Sequence, residues 1–268
     1  MISIVVPIKQ VPDMERVKFD KEKGTVDRSS APGEINPFDL NALEAAVQIK
    51  EKLGATVTTV SMGPPQAEAA LRDALSRGAD RGILLVDRAF AGADTWATSY
   101  TLASAIQRLG QTDLIVCGEK TVDGDTGQVG PEIAEWLDIP HVAYVSEIKN
   151  VGEKMVVVCD MEGDRYLMES RFPLLITVTK DINSPRLPSF SDKLKARKAE
   201  IEKCTAEELS AVADASRFGL KGSPTRLNKV IVPSEEGRKG EIFRGNPEET
   251  ALRLADALKE GGLSENVK

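Results

Sequence analysis

Four short apolar runs rich in β-branched residues, at positions 2–7, 56–61, 83–86 and 114–117, alternate with helix-like stretches at 36–53, 66–77 and 94–109. A run that is apolar throughout, rather than at every second position, suits a strand covered on both faces. Such strands alternating with amphipathic helices build a mainly parallel sheet flanked by helices. The first helix carries its own boundaries: Asn36 as N-cap, Pro37 at the first helical position, Asp39 in the first turn and Gly54 past the end. In the third, Trp96, Tyr100, Ala103 and Ile106 share one face, which predicts packing against the sheet rather than a cofactor box.

The pattern changes between 142 and 180. Residues 155–160 and 165–170 flank Met161-Glu162-Gly163-Asp164 and read as an antiparallel hairpin, and 174–178 make another buried strand. The expected fold class is α/β: a doubly wound, mainly parallel sheet with an antiparallel hairpin and an extended C-terminal arm. The prolines at 185 and 188 and the mixed charges after them place a boundary there, with a domain at 1–184 and an arm at 185–268. Within that arm Asn246-Pro247-Glu248-Glu249, ahead of Leu252, Ala255 and Leu258, is a start signal for an amphipathic helix. Such a helix cannot bury its apolar face alone, so the arm is expected to wrap on a partner chain.

Composition narrows the chemistry. At 268 residues the chain can bury a full core, and its net charge of −7 gives no support for a nucleic-acid surface. The one basic run, Lys193, Lys195, Arg197 and Lys198, is either a steering patch for an acidic partner or a solvated helix face. Cys117, Cys159 and Cys204 are too scattered for a disulfide framework and read as buried thiols. Pro7 and Lys9 cut the first apolar run too short for a signal or membrane segment, so a cytoplasmic protein without membrane insertion is expected. The single histidine, His141, leaves no His-based metal cluster and no plausible triad, and no cysteine pair has zinc spacing. Neither Gly-x-Gly-x-x-Gly nor a Walker loop follows the first strand; Pro7-Ile8-Lys9-Gln10 stands there instead.

Residues 118–131, Gly-Glu-Lys-Thr-Val-Asp-Gly-Asp-Thr-Gly-Gln-Val-Gly-Pro, lie between an apolar run and a helix-like one. A buried strand, a loop of Gly, Asp and Thr, and a helix start make a ready phosphate site, because the first helical N–H groups lack intrahelical partners and the helix dipole favours an anion. Gly124, Gly127 and Gly130 permit close backbone approach. Asp123 and Asp125 suit ribose hydroxyls or turn formation better than a bare phosphate. An ordinary strand-to-helix connection would carry many of the same residues.

The wording of this loop, Asp-x-Asp-x-x-Gln-x-Gly, resembles the nucleotide-binding signature of electron-transfer flavoprotein β subunits. Four further blocks match that family in order: Val5-Val6-Pro7-Ile8-Lys9-Gln10-Val11-Pro12, Ile35-Asn36-Pro37-Phe38-Asp39, Val60-Ser61-Met62-Gly63-Pro64, and residues 74–82. The resemblance implies a nucleotide pocket walled by Pro7, Asn36, Pro37, Phe38, Asp39, Met62 and residues 123–134, including Asp123, Gly124, Asp125, Thr126, Gly127, Gln128, Val129, Gly130 and Pro131. Thr126 and Gln128 are the best phosphate candidates, and Lys9 is either a phosphate or flavin contact or a solvated lysine. It also implies an α-subunit partner. Residues 181–190 resemble the family's recognition loop, which puts Phe190, with Leu187 nearby, at the position that plugs into a partner dehydrogenase.

Two types exist within the family. In the simple electron carrier the β pocket holds a structural AMP. In the electron-bifurcating type it holds a second FAD, which NADH reduces and which feeds ferredoxin or flavodoxin and an acyl-CoA dehydrogenase-type flavoenzyme. The small residues Gly124, Thr126, Gly127, Val129 and Pro131 resemble the bifurcating wording more closely. No side chain is expected to act as acid or base, since a flavin carries the redox chemistry. Rivals from other classes are a non-redox adenine-nucleotide sensor and a stand-alone nicotinamide dehydrogenase, the latter disfavoured by the missing fingerprint.

Overall fold

The computed structural model describes residues 2–13, 18–20, 25–27, 33–226 and 240–261. They form two compact units, residues 1–229 and residues 230–268, of which residues 227–239 and 262–268 lie outside the described set.

The first unit is built on a nine-stranded sheet. Its strands are β1 (Ser3–Pro7), β6 (Thr56–Met62), β7 (Arg81–Leu85), β8 (Leu114–Gly118), β9 (His141–Val151), β10 (Lys154–Met161), β11 (Asp164–Arg171), β12 (Leu174–Val178) and β13 (Glu202–Cys204), in the spatial order β11-β10-β9-β12-β8-β1-β6-β7-β13. The seven strands from β9 to β13 run parallel, and β10 and β11 form the antiparallel hairpin at one edge. Two short ribbons stand apart from the sheet, β2 (Gln10–Pro12) with β5 (Gly33–Ile35), and β3 (Lys18–Asp20) with β4 (Thr25–Asp27). This is the expected α/β class.

Alternation along each strand divides the core in two. Ile4, Val6, Val57, Leu114, Val116 and Ile176 face α1 (Pro37–Leu53) and α2 (Glu68–Ser76). Val5, Val60, Ile83, Ile115, Cys117 and Leu175 face α3 (Thr95–Leu109) and α4 (Val129–Leu137). From β1 the chain steps through α1 to β6 and through α2 to β7 on one side. It then crosses by α3 on the opposite face to β8, on the other side of β1. The direction of winding therefore reverses between β1 and β8, and loops leaving a parallel sheet at such a point diverge and open a crevice.

Three details depart from the sequence reading. Strand β9 is eleven residues long, pairing in parallel with β12 and antiparallel with β10 across two register shifts. Those irregularities blur the period-2 signal that would have revealed it. Trp96 and Tyr100 pack between helices rather than on the sheet: Trp96 lies 4.3 Å and Tyr100 5.0 Å from the Trp136 ring of α4, while Ala103 and Ile106 enter the core as expected. Beyond residue 184 the chain keeps contact with the sheet. Helix α5 (Phe190–Lys198) packs beside α2, polar β13 pairs with β7, and Leu209 and Phe218 are buried ahead of a single turn, α6 (Gly219–Gly222).

In the second unit, α7 (Pro247–Glu260) starts as its capping signal predicts, with Asn246 Oδ1 accepting from the Glu248 N–H at 3.0 Å, and Leu252, Leu254 and Leu258 are exposed. Among the described residues no helix is long and apolar enough to cross a membrane.

Helix α1 approaches β8 so closely that a Cβ on Gly118 would lie 2.5 Å from Asp39 Oδ1 and 2.7 Å from the backbone of Phe38. Gly118→Ala is expected to push the α1 start away from the sheet and to lower unfolding free energy by about 1–3 kcal/mol. Urea unfolding of the two proteins measures it, and equal stability would show that the contact relaxes freely.

Candidate functional site

The crevice at the winding reversal is bounded by the turn after β1, the start of α1 and the loop from β8 to α4. Asn36 joins all three. Its N–H donates to the Lys9 carbonyl at 2.9 Å, its Nδ2 donates to the Lys120 carbonyl at 2.9 Å, and its Oδ1 accepts from the Val122 N–H at 3.1 Å. The side chain is fully buried and makes no capping bond to its own helix. The expected N-cap position is right and its use is different, because the loop across the crevice takes the amide that a capping residue would turn inward.

Asp39 lies one turn further along α1. It is buried, and its Oδ2 accepts the Lys9 N–H at 2.8 Å. Burial pushes its carboxyl up to about 7, against the opposing pull of the Lys9 N–H, the Asn36 side chain, the Lys9 charge and the Gly118 N–H. Cys117, beneath it on β8, is a buried thiol raised first by desolvation and then by the Asp39 charge, so it has no reactive character.

The two carboxylates that looked out of place beside a phosphate are both countered. Lys9 Nζ bonds both oxygens of Asp123, at 2.7 and 2.8 Å, and this ion pair spans the crevice from the β1 side to the β8 side. Lys120 Nζ lies 2.8 Å from Asp125, which is exposed and holds a positive φ of 53°. Lys9 is therefore not a fully solvated lysine; its ammonium is tied to the loop through Asp123.

Past Asp125 the chain presents a run of donors. The N–H groups of Thr126, Gly127, Gln128, Val129 and Gly130 meet no backbone or side-chain acceptor among the described residues. Gly127 turns with φ of 65°, and Gly130 comes so close to the sheet that a Cβ would sit 2.7 Å from Thr177 Cγ2. Pro131 has no N–H to satisfy. Five successive amides without an acceptor, in the loop leading into α4 and its first turn, supply the donors that a phosphate needs at the positive end of a helix. An adenine-nucleotide phosphate therefore fits the donor set, and the paired carboxylates do not oppose it.

The expected site residues thus fall into groups. Pro7, Lys9, Asn36, Pro37, Phe38, Asp39 and residues 123–131 gather around one crevice, with Phe38 under the Lys120 ammonium at 5.9 Å. Met62 ends β6, the strand beside β1, at the same edge. Gln128 Oε1 accepts from the Thr95 hydroxyl of α3 at 3.1 Å, so its side chain links the starts of α3 and α4. Leu187 and Phe190 belong to a different surface, on the segment bound along α1, and are 88% and 78% exposed. Gly118 and Lys120 fell inside the 118–131 stretch without an assigned role and Thr95 was not singled out, since the contacts of Gly118 and Thr95 are with residues distant in the chain.

Parallel strands wound about a reversal point, with amide donors and two paired carboxylates at that point, define a doubly wound α/β protein without the usual glycine fingerprint. Comparison with known proteins makes the class specific. Residues 23–209 match the electron transfer flavoprotein domain. The chain is 47% identical over 258 residues to the electron transfer flavoprotein subunit beta of Thermoanaerobacterium thermosaccharolyticum, covering 96% of this chain and 98% of that one. It is 40% identical to the subunit beta of Megasphaera elsdenii, covering 99% and 100%, and 42% identical to the caffeyl-CoA reductase-Etf complex subunit CarD of Acetobacterium woodii, covering 97% and 98%. The chain belongs to the electron transfer flavoprotein family, among its β subunits.

Asp39 makes a pH test of the site. A carboxyl whose folded pKa is raised adds most to stability below the unfolded value of 3.8, and the contribution is lost as pH rises through about 7. Relative to Asp39→Asn, the native protein is expected to lose up to about 3 kcal/mol between about pH 5 and about pH 8. Parallel urea titrations at the two pH values measure it; identical slopes would mean that Asp39 ionises normally.

Proposed function

We propose that this chain is the β half of a heterodimeric electron-transfer flavoprotein of the bifurcating type, with FAD in the crevice between β1 and β8. The carrying observation is the run of five N–H groups from Thr126 to Gly130 at the start of α4, beside carboxylates already paired with Lys9 and Lys120. These amides would hold the cofactor's phosphates. Asn36 and Asp39 keep the two walls of the crevice in register, and Pro7, Phe38 and Met62 supply the remaining walls. When bound, FAD supplies the electron-transfer chemistry; the residues here bind it, orient it and hold its surroundings.

The loop wording supports a second FAD over a structural AMP, since Gly124, Thr126 and Gly127 are small. The likeness to a subunit of a caffeyl-CoA reductase-Etf complex supports a partner of the acyl-CoA dehydrogenase type. In this reading NADH is the electron donor and ferredoxin or flavodoxin the low-potential acceptor. The region from 185 onward serves the assembly: α7, with Leu252, Leu254 and Leu258 exposed, packs on the α subunit, and Leu187 and Phe190 dock the dehydrogenase.

Cofactor counting tests this. The heterodimer, reconstituted with excess FAD and denatured, is expected to release close to two FAD per pair, and NADH should bleach its visible band quickly. Thr126→Glu, which sets a carboxylate among the phosphate donors, should remove one of the two. A saturated count of one FAD with AMP recovered would make the chain a simple carrier, and full retention by Thr126→Glu would take this loop out of the phosphate site.

A further inference from the structure

The segment that carries Leu187 and Phe190 is held down with unusual thoroughness for a connection that exposes two large apolar side chains. Asn41 Nδ2 donates to the Asn183 carbonyl at 2.9 Å and to the Lys180 carbonyl at 3.2 Å, and Asn183 Nδ2 returns a bond to the Asn41 carbonyl at 3.0 Å. Three residues on, Arg186 grips Glu44 through Nε at 2.8 Å, Nη2 at 3.1 Å and its own backbone N–H at 3.1 Å. The far side of the same guanidinium reaches Glu51, with Nη2 at 3.0 Å from Oε2 and Nη1 on Oε1. From the other side Arg77, at the end of α2, donates Nη1 to the Arg186 carbonyl at 2.7 Å and is itself paired with Asp73.

Asn41, Glu44 and Glu51 lie along one face of α1, spaced so that the segment runs down the helix over about 15 Å. Glu44 is buried. Desolvation works against its charge, and the Arg186 fork overcomes that and holds the carboxyl below its ordinary value. A buried carboxylate matched by a bidentate guanidinium fixes geometry more than it adds net stability. Its effect is to freeze the backbone at Arg186 immediately before Leu187, while the next anchor, Ser189 capping α5 through the Asp192 N–H at 3.1 Å, fixes the backbone immediately before Phe190. The two exposed side chains therefore project from a backbone pinned on both flanks, and α1, which pins it, also carries Asn36 and Asp39 at the nucleotide crevice.

We infer that Arg186 is a positioning residue: by clamping to Glu44 and Glu51 it pre-organises Leu187 and Phe190 as a rigid apolar plug for the flavoenzyme partner. This rests on the docking role proposed above for those two residues. A plug ordered before encounter does not lose loop entropy on binding, so the clamp acts on partner affinity and not on the flavin.

The test uses the FAD-loaded heterodimer with NADH as electron donor, oxidised ferredoxin as the low-potential acceptor, and an acyl-CoA dehydrogenase with its enoyl-CoA as the second acceptor, whose concentration is varied. Glu51→Gln removes only the exposed outer half of the grip. Arg186→Met with Glu44→Gln removes the whole grip without leaving an unpaired buried charge. The expected result is a rise in KM for the partner, about tenfold for the double variant and less for Glu51→Gln, with kcat and flavin content unchanged and faster amide exchange at residues 184–190. Adding Phe190→Ala to the double variant should cost little beyond Phe190→Ala alone, because both act through one contact. If Phe190→Ala raises KM and the clamp variants do not, or if the losses simply add, the clamp has no positioning role while the docking reading stands. If Phe190→Ala itself leaves KM unchanged, the docking reading fails and the inference falls with it.

Discussion

The close seating of the first helix on the central strands is the constraint from which the rest of the site follows. Gly118 lets the backbone of Phe38 and the carboxylate of Asp39 come within contact distance of β8, where any side chain would intrude. That approach brings Asn36 within reach of Lys120 and Val122, and Asp39 within reach of the Lys9 amide. Two short polar side chains thereby hold together loops more than eighty residues apart. The buried Asp39 has an energetic cost, since its raised pKa records an environment that disfavours its charge.

Charge pairing resolves what the composition of the β8–α4 loop leaves puzzling. Two aspartates at a helix start would repel an anion unless countered, and Lys9 and Lys120 pair with Asp123 and Asp125. Both pairs are partly exposed, so each contributes modestly to stability. Their consequence is local: Asp123 and Asp125 are countered beside the Thr126–Gly130 amides, while Glu132, in the first turn of α4, accepts from the Thr95 hydroxyl at 3.1 Å. The loop is thus shaped by its ion pairs and its helix start, with glycine needed chiefly at the positive φ of Gly127 and the close approach of Gly130.

The same helix serves two surfaces. Its first turn lines the crevice and its outer face carries the Asn41, Glu44 and Glu51 contacts to the segment before Leu187 and Phe190. A single helix therefore sets the position of the crevice between β1 and β8 and of an exposed apolar pair. That economy follows from the doubly wound topology, in which the helix after the first strand starts at the ligand edge and runs back along the sheet.

The sequence alone determined the elements whose signals are local. Uniformly apolar runs named β1, β6, β7, β8 and β12, the Asn-Pro and Gly signals bounded α1, and the Gly-Asp-Thr loop was read in its true place between β8 and α4. It could not show β9, whose two register shifts break the alternation, or β13, whose Glu-Lys-Cys wording has no strand period. Nor could it assign partners. Asn36 reads as a helix cap, and Lys9 as either a ligand contact or a solvated lysine, with no sign of the Lys120, Val122 and Asp123 contacts that folding gives them. Which way a short amide or a lysine turns is decided by groups that arrive from distant sequence, so only the tertiary structure settled those roles, as it alone revealed the Arg186 clamp across more than a hundred residues.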